Sequence, residues 1–168
     1  FFKININNLI KLKKIILTNK IDSIIHLAAL LNVNESQKKS KKYFFNNVNG
    51  SKTLLEACKN TSVKNFIFSS TAAVYKDGIF KVKENSPLKP KSVYGKTKLK
   101  AEKLIKSNLK KNNIKYAILR YFNVAGADKK LRSGQISKKS THLIKILSEV
   151  IVGKRDHIEI YGKDYNTL

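Results

Sequence analysis

The 168-residue sequence contains no methionine, one cysteine (Cys58), two prolines (Pro87 and Pro90) and only three arginines (Arg120, Arg132 and Arg155) among its 35 basic residues. Each scarcity excludes something. A single cysteine rules out an internal disulfide and fits a reducing compartment, so a small buried place in a helix is its ordinary role and a cytoplasmic location is expected. The formal net charge of +24 raises nucleic-acid binding as a reading, because a basic face neutralises phosphates and releases counterions. The near-absence of arginine argues against it. Readers of bases and phosphates lean on the planar guanidinium fork, whereas here lysine is spread along the whole chain as a solvated surface. No apolar run approaches the ~18 residues that span a bilayer, and no signal peptide is visible. With no methionine at position 1 and an apolar start at Phe1-Phe2, the sequence is expected to be an interior piece of a longer one.

What is present has an alternating order. A chain of this length can form one domain, burying roughly 70% of its unfolded surface. Phe1 to Ile6 alternates and is predicted as a short strand. A helix from about Asn7 to Thr18 follows, with Leu9, Ile10, Leu12, Ile15 and Ile16 on its buried side. Ser23 to Ala29 is an apolar run ending in small residues, the pattern of a central parallel strand buried on both faces. Ser36 to Lys59 is helical in period, with Tyr43, Phe44, Val48, Leu54, Leu55 and Cys58 as core positions; Asn46-Asn47 and Asn49-Gly50 interrupt its packed face. Asn65 to Thr71 is a second buried strand ending in three hydroxyls. A loop holding both prolines leads to a helix running to about Asn112, then a strand from Tyr116 to Phe122 ending at Asn123. A helix from about Thr141 to Val152 and a short strand near His157 to Tyr161 close the chain. This order predicts an α/β fold with a doubly wound parallel sheet, whose strand ends at His26 to Ala29, Ser69 to Thr71 and Tyr121 to Asn123 meet in one crevice.

Tyr94 and Lys98 stand four residues apart near the start of that long helix, so both can point into the same cleft. The pairing has a chemical use. A free phenol has a pKa near ~10 and is about 0.1% ionised at neutral pH, but a cation within ~4–6 Å lowers that pKa by ~1–3 units and makes a general base. In a chain this rich in lysine the pair alone is weak; Thr71 at a strand end and the crevice make it specific.

Taken together these residues resemble the extended short-chain dehydrogenase/reductase family and, within it, the UDP-glucose (UDP-galactose) 4-epimerase branch. The match runs through His26-Leu27-Ala28-Ala29, Glu35-Ser36, Tyr43 with Asn46 to Gly50, Asn65 to Ala72, Val74-Tyr75, Tyr94 to Lys98, Leu119 to Asn123, Gly126-Ala127 and Val152 to Asp156. The resemblance implies a Rossmann-like NAD-binding domain over 1–130 and the start of a sugar-nucleotide region over 131–168. It implies that Tyr94 takes the proton of the sugar C4 hydroxyl while hydride passes to a tightly bound NAD, and that the 4-keto sugar turns over before the hydride returns. Thr71 would hold the sugar 4-oxygen, and Lys98 the nicotinamide ribose. Cofactor contacts are implied at Asn5, Ile6, Leu27, Ala28, Ala29, Leu30, Leu31, Asn46 and Phe122. Substrate contacts are implied at Asn123, His142, Leu143, Glu159, Ile160 and Tyr161. No metal is expected, and a homodimer is expected for the full-length protein.

Bland readings stand beside these. Asn46 can cap or kink its helix, His26 can be a satisfied core histidine, and Tyr121 and Phe122 can be core aromatics. The sequence also departs from the family pattern: Asn5 stands for an Asp, Leu31 for a Lys, Lys76 for a Gly and His142 for an Asn. No G-x-x-G-x-x-G turn, which would seat the cofactor pyrophosphate, occurs in it, so the 168 residues alone are expected to be inactive. Ala72-Ala73 follow Thr71 where a nucleotide-sugar dehydratase carries an acid, which favours an epimerase. The remaining alternatives are another NAD-dependent nucleotide-sugar enzyme and a basic nucleic-acid-binding module.

Overall fold

The computed structural model describes residues 1–79, 81–137, 140–160 and 162. The chain divides into two compact units, 1–122 and 123–168. The first contains α1 (Leu9–Thr18), β1 (Ser23–His26), α2 (Val33–Lys38), α3 (Ser40–Tyr43), a π-helical stretch (Phe44–Asn49), α4 (Gly50–Cys58), β2 (Asn65–Thr71), a 3-10 turn (Ala72–Val74), α5 (Val93–Lys111) and β3 (Lys115–Tyr121). The second contains α6 (Leu143–Ile151).

The three strands are parallel, in the order β1-β2-β3. Because that order proceeds in one direction, right-handed crossovers place α4 and α5 on the same side of the sheet. Phe66 and Phe68 of β2 point to that side and are 1% exposed, packed with Ile16, Leu54, Leu55, Ala101, Ile105 and Leu109. Each aromatic buried this way contributes roughly 1.5–3 kcal/mol. This is one half of a doubly wound, Rossmann-like sheet. The opposite face carries Ile25, 64% exposed, and Leu119 and Tyr121.

Several expectations are corrected here. Ser23 to Ala29 is not a central strand buried on both faces: β1 stops at His26 and is the sheet edge, and no helix of this unit covers Ile25. Phe1 to Ile6 forms no strand, since it joins no ladder, and Phe1 and Phe2 are exposed. On α1 only Ile16 is buried; Ile10 is exposed because the helix meets α4 along a narrower stripe than its apolar content suggests. The single helix expected over 36–59 is broken at Lys39 and widened to a π-helix at Phe44–Asn49. The wide turn carries buried Asn47 and leads into Gly50, where a Cβ would lie 2.7 Å from Ile6 Cγ2. Residues 157–160 form no strand.

Candidate active site

The amino end of α5 is fixed before its side chains are considered. The first N–H groups of a helix have no partner within it, yet Val93 N–H donates to Gln37 Oε1 (3.1 Å), Tyr94 N–H to Ser36 Oγ (3.0 Å) and Gly95 N–H to Ser92 Oγ (3.0 Å). Two of the three acceptors come from α2, so α2 and α5 are bound end to side. Gly95 lies so close to the turn after β2 that a Cβ would fall 2.4 Å from Ala73 O.

Tyr94 is 8% exposed. Burial pushes its phenol above the ordinary value, and the Thr71 hydroxyl facing it pulls in the other direction. Thr71 Oγ1 itself accepts from Ala73 N–H at 3.2 Å, which orients the side chain at the strand end.

Lys98, one turn on, is 2% exposed, and its ammonium lies over the Phe68 ring, 4.4 Å from the centroid. Among the described residues it makes no hydrogen bond and no ion pair. No fully buried side-chain nitrogen among them lacks a partner, so the ammonium keeps a sliver of solvent contact. Burial lowers its pKa to about 8, with the Glu102 charge opposing.

His26 is a satisfied core histidine. Its Nε2 is 2.9 Å from Ser51 Oγ, and Ser51 donates to Asn47 O at 2.7 Å, so the imidazole is the donor to Ser51. Burial, and then the charge of Lys98, lower its pKa to about 4, keeping it neutral. Asn47 clamps the segment after β1: Oδ1 accepts from Leu30 N–H (2.8 Å), and Nδ2 donates to Leu30 O (3.1 Å) and to Thr97 Oγ1 (3.2 Å). The loop 27–31 is thereby tied to α5.

A further cluster lies behind these groups. Glu102, 1% exposed, accepts Arg120 Nε on Oε1 (3.0 Å) and Arg120 Nη2 on Oε2 (2.8 Å), and also accepts the Ser70 hydroxyl. Arg120 Nη1 donates to Tyr75 Oη and to Glu84 O, each at 3.0 Å. The carboxylate and the Tyr75 hydroxyl raise the guanidinium pKa further above its ordinary value. Ser70 is one of the three strand-end hydroxyls read from the sequence, whereas Glu102 does not stand out by sequence reasoning, although it is four residues beyond Lys98, on the same face.

A model of the NAD dependent epimerase/dehydratase family matches residues 1–166. The chain belongs to that family. Within the epimerase/dehydratase family it is 41% identical over 157 residues to a UDP-glucose 4-epimerase of Halalkalibacterium halodurans, covering 93% of this chain and 47% of the relative. The solved UDP-glucose 4-epimerase of Brucella ovis in complex with NAD superposes with a TM-score of 0.89 at 35% identity, covering 99% of this chain and 52% of that one. That of Bifidobacterium longum in complex with NAD+ and UDP gives 0.88 at 30% identity, covering 99% and 51%. The chain thus spans about half the length of these epimerase/dehydratase relatives.

The expected site residues fall into three groups. Thr71 and Tyr94 face each other, with Lys98 on the same helix face, and the segment holding Leu27, Ala28, Ala29, Leu30 and Leu31 is anchored to this helix through Asn47. Asn46 is partly buried and donates to Asn47 Oδ1 at 3.0 Å. Asn5 Oδ1 accepts from Asn7 N–H at 2.9 Å, Ile6 packs against the core and Phe122 is 64% exposed. Asn123, His142, Leu143, Glu159 and Ile160 belong to the second unit. There His142 N–H donates to Ser140 Oγ at 3.2 Å, and Leu143 and Ile160 are exposed. Tyr161 lies outside the described residues. No helix among the described residues is long and apolar enough to cross a membrane, and no metal-ligating cluster is found among them.

Proposed function

We propose that the protein carrying this chain is a UDP-glucose 4-epimerase, interconverting UDP-galactose and UDP-glucose with a tightly bound NAD. The observation that supports this most is the Thr71 hydroxyl facing the buried Tyr94 phenol, with Lys98 one turn further along the same helix. NAD, when bound, supplies a reversible acceptor for the hydrogen on sugar C4. Tyr94 removes the proton of the C4 hydroxyl and restores it on the other face; Thr71 orients the 4-oxygen. Since burial raises the Tyr94 phenol, its ionisation draws on positive charge nearby, from Lys98 and from the amino end of α5. Lys98 fits a cofactor hydroxyl pair, because a buried ammonium with no acceptor among the described residues is completed by ligand oxygens.

In this reading residues 27–31 with Asn46 and Phe122 line the cofactor, and Asn5 and Ile6 lie at its adenine end. Residues 131–168 begin the sugar-nucleotide region, with Asn123, His142, Leu143, Glu159, Ile160 and Tyr161 toward the UDP-sugar. Ala72-Ala73 after Thr71 leave no acid to expel water, which favours epimerisation over dehydration. We place the protein in the cytoplasm, as a homodimer without nucleic acid.

The test is conversion of UDP-galactose to UDP-glucose by the protein and by its Tyr94→Phe variant. Turnover falls about 10²–10⁴-fold in the variant, the usual contribution of a positioned base, while NAD stays bound. A wild-type protein without turnover, or a variant with unchanged turnover, refutes the reading.

A further inference from the structure

Glu102 is the most deeply buried acid described in this chain, and it touches none of the groups assigned chemistry above. A buried carboxylate is retained only when paired and hydrogen-bonded. Its partners are two residues that face each other in the β2-β3 ladder: Ser70 pairs in register with Arg120. One carboxylate on α5 therefore ties together the carboxyl ends of both strands. The guanidinium extends the tie past Thr71 by holding Tyr75 Oη and Glu84 O, and it stacks 4.9 Å from the Tyr75 ring centroid. Thr71 is thus bracketed: Ser70 before it and Tyr75 after it both lead to the Glu102–Arg120 pair.

The second fixed point is Gly95, which lies so close to the turn after β2 that there is no room for a Cβ against Ala73 O. From Gly95 to Glu102 the helix rises ~10 Å. A helix pinned at two points that far apart cannot rock against the strand ends, and Tyr94 and Lys98 sit at one pin and between the two. We propose that Glu102 is a positioning residue, which holds the Thr71 hydroxyl opposite the Tyr94 phenol by tying α5 to the ends of β2 and β3. This rests on the roles proposed above for Tyr94 and Thr71.

The test uses the protein carrying this chain, with two variants. Glu102→Gln combined with Arg120→Met removes the pair at constant net charge and similar volume, a replacement that buried ion pairs often tolerate. Ser70→Ala removes only the link to β2 and leaves the pair intact. The double variant loses about 10–100-fold in kcat, the scale of a small misplacement of reacting groups, with KM for UDP-galactose within about 3-fold and the bound NAD content unchanged. Ser70→Ala, which removes one hydroxyl-to-carboxylate hydrogen bond, shows the same split at about 10-fold.

A second readout needs no turnover: the titration of Tyr94, taken as the near-ultraviolet phenolate absorbance of the protein minus that of its Tyr94→Phe form. The groups facing Tyr94 and Lys98 are Tyr43 of α3, His26 of β1, Thr71 of β2 and, toward Lys98, Glu102 itself; Ser70→Ala leaves all of them in place, so the titration is read in that variant. With Thr71 displaced, the phenol loses the hydroxyl that lowers it and titrates higher. If the wild-type protein fails to turn over UDP-galactose, the proposed function falls and this titration still decides the positioning. Unchanged kcat, a loss confined to KM, or an unchanged Tyr94 titration overturns the proposal. If the double variant does not fold, Ser70→Ala decides it alone.

Discussion

Lys98 and Glu102 sit one turn apart on the same face of α5, at 2% and 1% exposure, and the fold surrounds them in opposite ways. Glu102 receives two nitrogens of one guanidinium and a hydroxyl, so its charge is matched and its oxygens are filled. Lys98 receives a ring face, and the Glu102 charge reaches it only from one turn away, with Arg120 closer to that carboxylate. Two buried charges of the same helix thus answer to different demands. The region around Glu102 is built for rigidity. The region around Lys98 carries an electrostatic strain that no acceptor among the described residues relieves.

The largest effect that would break this contrast is at Glu102. Glu102→Ala leaves Arg120 in place, 12% exposed, without its carboxylate; urea unfolding should show a loss of about 3–5 kcal/mol. A loss below about 1 kcal/mol, as for an exposed pair, would erase the distinction. Next comes Lys98→Met, for which the sign is opposite. The ordinary lysine pKa is 10.5 and the folded one about 8, so the unfolded chain binds this proton more tightly. Below pH 8 both states are charged and the burial penalty is full; between about 8 and 10.5 the folded state releases the proton first, so the protein gains stability as pH rises. Lys98→Met should stabilise the ligand-free protein at pH 7 by up to about 3 kcal/mol and abolish the gain between pH 8 and 10.5, both read by urea unfolding. The smallest effect is at the capping contacts. Ser36→Ala removes the acceptor of Tyr94 N–H and should destabilise by about 1 kcal/mol, measured in the same way, sharpening the contrast by showing what an ordinary neutral contact is worth here.

Much of α5 was legible from residue pattern alone. The expected helix to about Asn112 is Val93–Lys111, and the Tyr94–Lys98 spacing puts both side chains in the interior. β2 is equally direct, since Asn65–Thr71 is an apolar run bounded by polar residues and its hydroxyls fall at the strand end. Glu102 was hidden for a compositional reason: flanked by Lys100 and Lys103 in a polar helix, it resembles one half of a surface ion pair. Only its partner eighteen residues later on β3 shows otherwise. The π-helical stretch was hidden for a topological one. Asn46-Asn47 and Asn49-Gly50 look like flaws in an apolar face until Leu30, seventeen residues away, is seen to need both ends of the Asn47 amide. The amino-terminal segment failed differently, because alternation describes a strand's faces but cannot supply the neighbour a ladder requires.

The three side-chain caps on α5 have one more consequence. The start of a helix commonly serves as a seat for phosphate, because its N–H groups point outward without partners. In α5 three of those four donors are already engaged by Gln37, Ser36 and Ser92, so this helix start has little left to offer a diphosphate. Its aligned peptide dipoles still place a partial positive charge beneath Tyr94. Capping therefore changes what the helix start does: instead of gripping an anion from outside, its N–H groups bind α2 and hold Tyr94 at the first turn.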